Sequence, residues 1–96
     1  MKQLTIIFDS GIEASMVELL AGLGISGITW IHDVKGAGGR GVKLNSPVFP
    51  GTNHIALIVL PQELVSRVQV AVRRLQAGYR LKPGVTMLCQ DVEVLD

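Results

Sequence analysis

The chain has 96 residues, of which 48% are hydrophobic and 18% charged; its net charge is +1 and its mean hydropathy +0.41. So much apolar content with so little net charge excludes intrinsic disorder, and the near-neutral balance argues against global attraction to nucleic acid or a membrane surface. The longest apolar run, Ile55–Leu60, falls far short of the roughly 20 residues of a membrane span, and the single cysteine, Cys89, forbids an internal disulfide and suits a reducing, cytoplasmic compartment.

A first strand is predicted over residues 3–8, Gln-Leu-Thr-Ile-Ile-Phe, from its β-branched and aromatic content. Asp9-Ser10-Gly11 breaks it and also interrupts any signal-peptide core. Ser10 with Glu13 three residues on reads as a capping box, and Ile12, Met16, Leu19, Leu20 and Leu23 recur at helical spacing. Gly22 and Gly24 end that helix. A second strand is predicted over Ile28–Lys35. Residues 36–53 have no periodicity, and their five glycines and two prolines predict a long flexible loop, neither helix nor regular strand. His54–Leu60 reads as a third strand. Pro61 fits the first turn of a second helix, whose stripe is Leu64, Val65, Val68, Val72 and Leu75. Arg73 and Arg74 suit its last turn, and Gly78 ends it. A fourth strand is predicted over Val85–Val94, with a bulge where the apolar alternation shifts between Cys89 and Val92.

Strand, helix, strand, strand, helix, strand is the order of the ferredoxin-like α+β plait, here expected as a single domain over 1–96. Right-handed crossovers place both helices on one face of a four-stranded antiparallel sheet. The other face is left bare. A domain this small buries only roughly 60–65% of its unfolded surface, so the excess apolar residues predict cover by another subunit. The alternating strand directions bring Asp9–Gly11, the 36–53 loop and the 78–84 turn to one end of the sheet.

Loops as long as 36–53 are uncommon in compact domains and tend to carry function. Gly36-Ala37-Gly38-Gly39-Arg40-Gly41 formally matches G-x-G-x-x-G, but Pro47 and Pro50 follow where a dinucleotide-binding unit requires a helix. What remains is anion chemistry. Gly36, Gly38, Gly39 and Gly41 let the backbone approach a ligand and turn amides toward it, and Arg40 and Lys43 add positive charge to a segment without an acid. The turn closed by Gly84 adds Arg80 and Lys82. Together these predict a local cationic site for phosphates or carboxylates. His32, His54 and Cys89 show none of the short paired spacings of metal ligands, so no metal site is expected. Ser46 and Ser66 lack motif context, and Asp33, Glu63, Asp91 and Glu93 read as surface charges, which leaves no catalytic set and predicts a protein that is not an enzyme. Trp30 and Phe49 are each open to two readings, packing within the subunit or docking on a partner.

The segment Gly24-Ile25-Ser26-Gly27-Ile28-Thr29-Trp30-Ile31-His32-Asp33-Val34-Lys35-Gly36-Ala37-Gly38 resembles the second strand of the P-II nitrogen-regulatory signalling proteins. Their pattern there is Gly-x-x-Gly-x-Thr, then Val-x-Gly-x-Gly leading into a long flexible loop. Pro61-Gln62-Glu63-Leu64-Val65 resembles the start of their second helix, and the resemblance covers about residues 1–77. It implies a homotrimer with the bare sheet faces inside, ATP, ADP or another adenine nucleotide bound between subunits, and a loop that docks on a transporter or enzyme. By position, Thr29, Gly36 and Gly38 match residues near the nucleotide in that family, and Ile58 matches an apolar residue near the base. The chain departs from the pattern in three places. Gly39 stands where the family has arginine, with Arg40 one place later; the loop lacks a tyrosine for modification; and the 78–84 turn is shorter. A diverged, P-II-like protein is therefore expected. Two alternatives stand beside it: a metal-responsive trimeric plait similar to the divalent-cation tolerance family, and an ACT-type amino-acid-binding module with its ligand near Asp9–Gly11.

Overall fold

The computed structural model describes residues 1–38, 41–43 and 51–96. The strands are β1 (Lys2–Asp9), β2 (Ile28–Val34), β3 (Gly36–Gly38), β4 (Gly41–Lys43), β5 (Asn53–Leu60) and β6 (Val85–Asp91). The helices are α1 (Glu13–Gly22) and α2 (Gln62–Ala77). The main sheet has the order β2-β5-β1-β6 with every pair antiparallel, which is the ferredoxin-like plait. Its two central strands pair without interruption from Lys2–Leu60 to Asp9–Asn53.

Strict alternation in those central strands decides what is buried. Leu4, Ile6 and Phe8 of β1 and Ala56, Ile58 and Leu60 of β5 point toward the helices and are almost wholly buried. Against them pack Ile12, Met16 and Leu20 from the first helical segment and Val68 and Val72 from α2. Each of these side chains larger than alanine contributes about 1.5–3 kcal/mol by leaving water. Trp30 lies opposite Ala56, the smallest residue of that face, and meets Phe8 edge-on at 6.1 Å, so it packs within the subunit. On the opposite face Ile7, Ile55 and Leu57 are only half-buried and Ile31, Val59 and Leu88 are exposed, so the face expected to be bare is bare. Among the described residues no helix is long and apolar enough to cross a membrane.

Four local expectations need correction. The capping box does not form. The Asp9 carboxylate accepts from the Gly11 amide at 2.8 Å and tightens Ser10–Ile12 into a 3-10 turn, so α1 begins at Glu13, which is then its first residue and cannot reach back. Pro61 is the N-cap of α2, one place before its first turn. The bulge lies in β2, not β6. Ile31 pairs with Ile55 and Val34 with Asn53, so His32 and Asp33 together oppose His54, with Asp33 at φ +57°. β6 pairs in steady register with β1 through Cys89, Gln90 and Asp91 and ends there, so Val92 lies past the strand and no bulge forms. Finally, the glycine-rich loop is not free of strand: β3 and β4 form a short hairpin, Gly36 opposite Lys43 and Gly38 opposite Gly41. Gly39, Arg40, Ser46, Pro47, Phe49 and Pro50 lie outside the described residues.

The helix ends follow their sequence signals. Gly24, at φ +77°, lets the Gly24 amide bond to Ala21 and the Ile25 amide to Leu20, which closes α1 in a Schellman motif with Leu20 and Ile25 both buried. The buried Gln76 donates to the Pro83 carbonyl at 2.7 Å and accepts from Arg73, pinning the 78–84 turn to α2. The Asp9 amide then bonds to Gly84 and the Ser10 amide to Thr52, both at 3.1 Å, so the three connections converge at one end of the sheet as expected.

Candidate functional site

That end holds two clefts. The first, of about 350 Å³, is lined by Val34–Gly38 on one side, by Ile7, Asn53 and Ile55 at the end of the bare sheet face, and by Lys43, Gly84 and Thr86. The second, of about 330 Å³, lies between Asp9–Ile12 and Leu81–Gly84, again with Lys43 in its wall. Lys43 and Gly84 are common to both. Volumes near 300 Å³ suit a small ligand or one portion of a larger one.

Lys43 is the electrostatic centre. Its ammonium donates to Asp9 Oδ2 at 2.7 Å and to Asn53 Oδ1 at 3.0 Å, and its side chain is 14% exposed. The two acceptors face each other across β1 and β5 as the last register pair, which is why one side chain reaches both. Glycines make room for it. A Cβ on Gly51 would stand 3.0 Å from Lys43 Cγ, and one on Gly36 3.2 Å from Asn53 Nδ2. Burial pushes the Asp9 carboxyl up, but the Lys43 ammonium and the Gly11 amide outweigh it and hold the group below the usual carboxylate range. The lysine is thus a charge held in reserve: paired internally, yet facing both clefts.

Of the residues singled out from sequence, Gly36, Gly38, Lys43 and Gly84 line the first cleft, and Lys82 lines the second with Lys43 and Gly84. Gly41 sits opposite Gly38 in the hairpin. Thr29 is exposed on the bare face and lines neither cleft. Arg80 is also exposed and outside both, so of the expected cations Lys43 and Lys82 remain among the described residues, and Lys35, not singled out from sequence, joins Lys43 in the wall of the first cleft. Ile58 is wholly buried on the helix side of the sheet and contacts no cleft of this subunit, a consequence of strand alternation that places Leu57, not Ile58, on the bare face. Gly39 and Arg40 lie outside the described residues.

Sequence reasoning missed Asp9 and Asn53, since a cross-strand pair is visible only once the register is known. Of a second grouping it named His32 and His54 as metal candidates but not Glu13, nor that the three meet. Glu13, His32 and His54 bring one donor atom each to within 4.8 Å of one another. Glu13 Oε1 lies 2.7 Å from His32 Nε2 and Oε2 3.5 Å from His54 Nε2, while the two imidazoles stand edge-to-face with centroids 4.7 Å apart. His54 is buried, and its Nδ1 accepts from the Asp33 amide at 3.0 Å.

Comparison with known proteins gives one consistent answer. The family model described as nitrogen regulatory protein P-II matches residues 1–95. Among solved structures, CPII, a nitrogen regulatory PII-like protein from Thiomonas intermedia K12 bound to ADP, AMP and bicarbonate, is similar with a TM-score of 0.79 at 19% identity, over 99% of this chain and 92% of that one. The apo form of CPII gives 0.66 at 18% identity, over 95% and 89%. A putative PII-like signaling protein from Thermus thermophilus gives 0.68 at 26% identity, over 98% and 88%. A search of curated protein sequences found no match.

Proposed function

This chain belongs to the nitrogen regulatory protein P-II family, and on that premise we propose that it is a non-enzymatic signalling protein. In this reading it binds an adenine nucleotide, or another small anion, at the loop end of the sheet and regulates a partner protein, a transporter or an enzyme, through residues 36–53. The observation that carries the reading is Lys43, a cation in the wall of both clefts whose two partners are supplied by its own subunit. A phosphate or carboxylate entering either cleft competes with Asp9 for that ammonium. Because Lys43 ends β4, exchanging one partner for the other moves the hairpin, and this is the differential contact that an effector needs to shift a loop between states. The glycines of β3 let a ligand approach the strand without side-chain obstruction. That CPII was crystallised with ADP, AMP and bicarbonate supports the ligand class.

The assembly proposed is a homotrimer, with the bare faces turned inward and the clefts completed by a neighbouring subunit. It accounts for Thr29 lying on the bare face, where a neighbour's ligand would reach it. The test is isothermal titration of the full chain with ADP, AMP, ATP and bicarbonate. Binding is expected for at least one, with Lys43→Ala and Lys82→Ala each weakening it about tenfold or more, the size of a lost charge-assisted hydrogen bond. No binding by the wild-type chain, or equal binding by both variants, overturns the reading.

A further inference from the structure

We propose that Glu13, His32 and His54 form a binding site for a divalent late transition-metal ion of the zinc, copper and nickel class. The site does not depend on the nucleotide reading, for none of the three residues lines either cleft.

Three elements supply the donors: the first residue of α1, the middle of β2 and the second residue of β5. The β2 bulge creates the pair of imidazoles. By setting His32 and Asp33 together against His54, it keeps His32 on the helix side of the sheet next to His54, while Val34 is carried over to the bare face beside Asn53. The 3-10 turn at Ser10–Ile12 then delivers Glu13 to the same spot. Two imidazoles and one carboxylate are the donor set of zinc sites that keep a position open, and they suit borderline ions rather than the all-oxygen shells of magnesium or calcium.

The geometry permits closure. Metal–donor bonds of about 2.0–2.1 Å set tetrahedral donor–donor separations near 3.4 Å. The present atoms lie within 4.8 Å, so the remaining gap is of the order of one ångström. Glu13 and His32, with side chains 41% and 50% exposed, can turn to close it and leave an entry path from solvent. His54, 6% exposed and held at 5.9 Å edge-to-face against Phe8, is the fixed wall.

Proton bookkeeping then couples the site to the loop. His54 Nδ1 accepts from the Asp33 amide, so in the metal-free protein the imidazole proton sits on Nε2 and points at Glu13. Ligation through Nε2 moves that proton to Nδ1, which can no longer accept, and the Asp33 amide must turn away. Asp33 is the bulge residue at φ +57°, only three positions before Gly36, where the hairpin begins. Metal occupancy therefore turns the peptide of the bulge residue at the root of the hairpin while keeping the bulge that places His32.

The experiment is titration of the chelator-treated full chain with zinc(II), copper(II) and nickel(II), with magnesium(II) as the hard-ion control, followed by calorimetry and by the amide NMR signal of Asp33. One late transition ion per chain is expected to bind. His32→Ala and Glu13→Gln are each expected to weaken it at least about 10–100-fold, the loss typical of disturbing even an outer-shell partner. Cys89→Ser, which removes the exposed thiol, is expected to leave it unchanged, and the Asp33 amide is expected to shift at stoichiometric metal. Equal binding by wild type and His32→Ala, equal binding of magnesium, loss on Cys89→Ser, or an Asp33 signal unmoved with metal bound would each overturn the proposal. Nucleotide titration of the same His32→Ala sample reports on the other reading separately.

Discussion

At the scale of single residues, the Lys43–Asp9–Asn53 contact is where the chemistry concentrates. Asp9 has two duties: its Oδ1 caps the turn before α1 and its Oδ2 holds Lys43. A carboxylate held below its ordinary range contributes stability that is fully present above the unfolded value of about pH 4 and is lost as pH falls through the lower folded value. The stability difference between wild type and Asp9→Asn, measured by urea unfolding, should therefore be constant from neutral pH down to about pH 4 and shrink below it. A difference that stays constant into strong acid would show that neither contact of Asp9 depends on its charge. The lysine end of this contact was legible in sequence as a cation in an acid-free segment. The aspartate end was not: chain order brings Asp9 to that end of the sheet as part of a connection, but nothing in it shows that Asp9 lies beside Asn53 or meets Lys43.

At the scale of elements, the helix ends show how one residue type acts in two ways. Gly22 and Gly24 both end α1 in the sequence, yet only Gly24 has a backbone that requires glycine, at φ +77°. An added Cβ meets nothing within 4 Å at either position, so substitution isolates the backbone effect. Gly24→Ala should cost about 1–2 kcal/mol, the left-handed penalty of an L-residue, whereas Gly22→Ala should stabilise by about 0.5–1 kcal/mol. Urea unfolding of the two variants checks this, and equal effects would refute the Schellman assignment. The start of α1 was misread for a related reason. Ser10 and Glu13 have capping-box spacing, but Asp9 reaches Gly11 first, and a turn so tightened shifts the helix start to Glu13. The hairpin was misread because glycine-rich composition disfavours a strand on propensity alone, whereas backbone pairing of Gly36–Gly38 with Gly41–Lys43 needs no side chains.

At the scale of the molecule, the proposed trimer rests on the bare sheet face. Ile31 and Leu88, 42% and 55% exposed, sit on its two edge strands, so neither supports the core of the single subunit. Leu88→Lys should leave the circular dichroism spectrum unchanged and convert a trimer to a monomer by native mass, since a lysine buried in an apolar interface is uncompensated. A wild-type chain that is monomeric at micromolar concentration would refute the trimer outright. This prediction belongs to the whole molecule because no single element shows that the face lacks cover; only the placement of both helices on the other side does.

Periodicity is written in the chain, and it was enough for the plait. The β-branched and apolar runs at residues 3–8 and 54–60 mark strands, the helical stripes of Met16–Leu23 and Leu64–Leu75 say which side of each helix must leave water, and the plait satisfies them with a sheet face left over. Ile58 lies in an unbroken apolar run, so only the assembled sheet decides that it is buried on the helix side, away from the clefts. Which side chains meet is a matter of assembly alone. Lys43 with Asp9 and Asn53, and Glu13 with His32 and His54, join residues far apart in the chain through strand register and one bulge. A bulge shifts every later side chain of its strand to the opposite face, so a single extra residue in β2 set both the imidazole pair and the wall of the cleft.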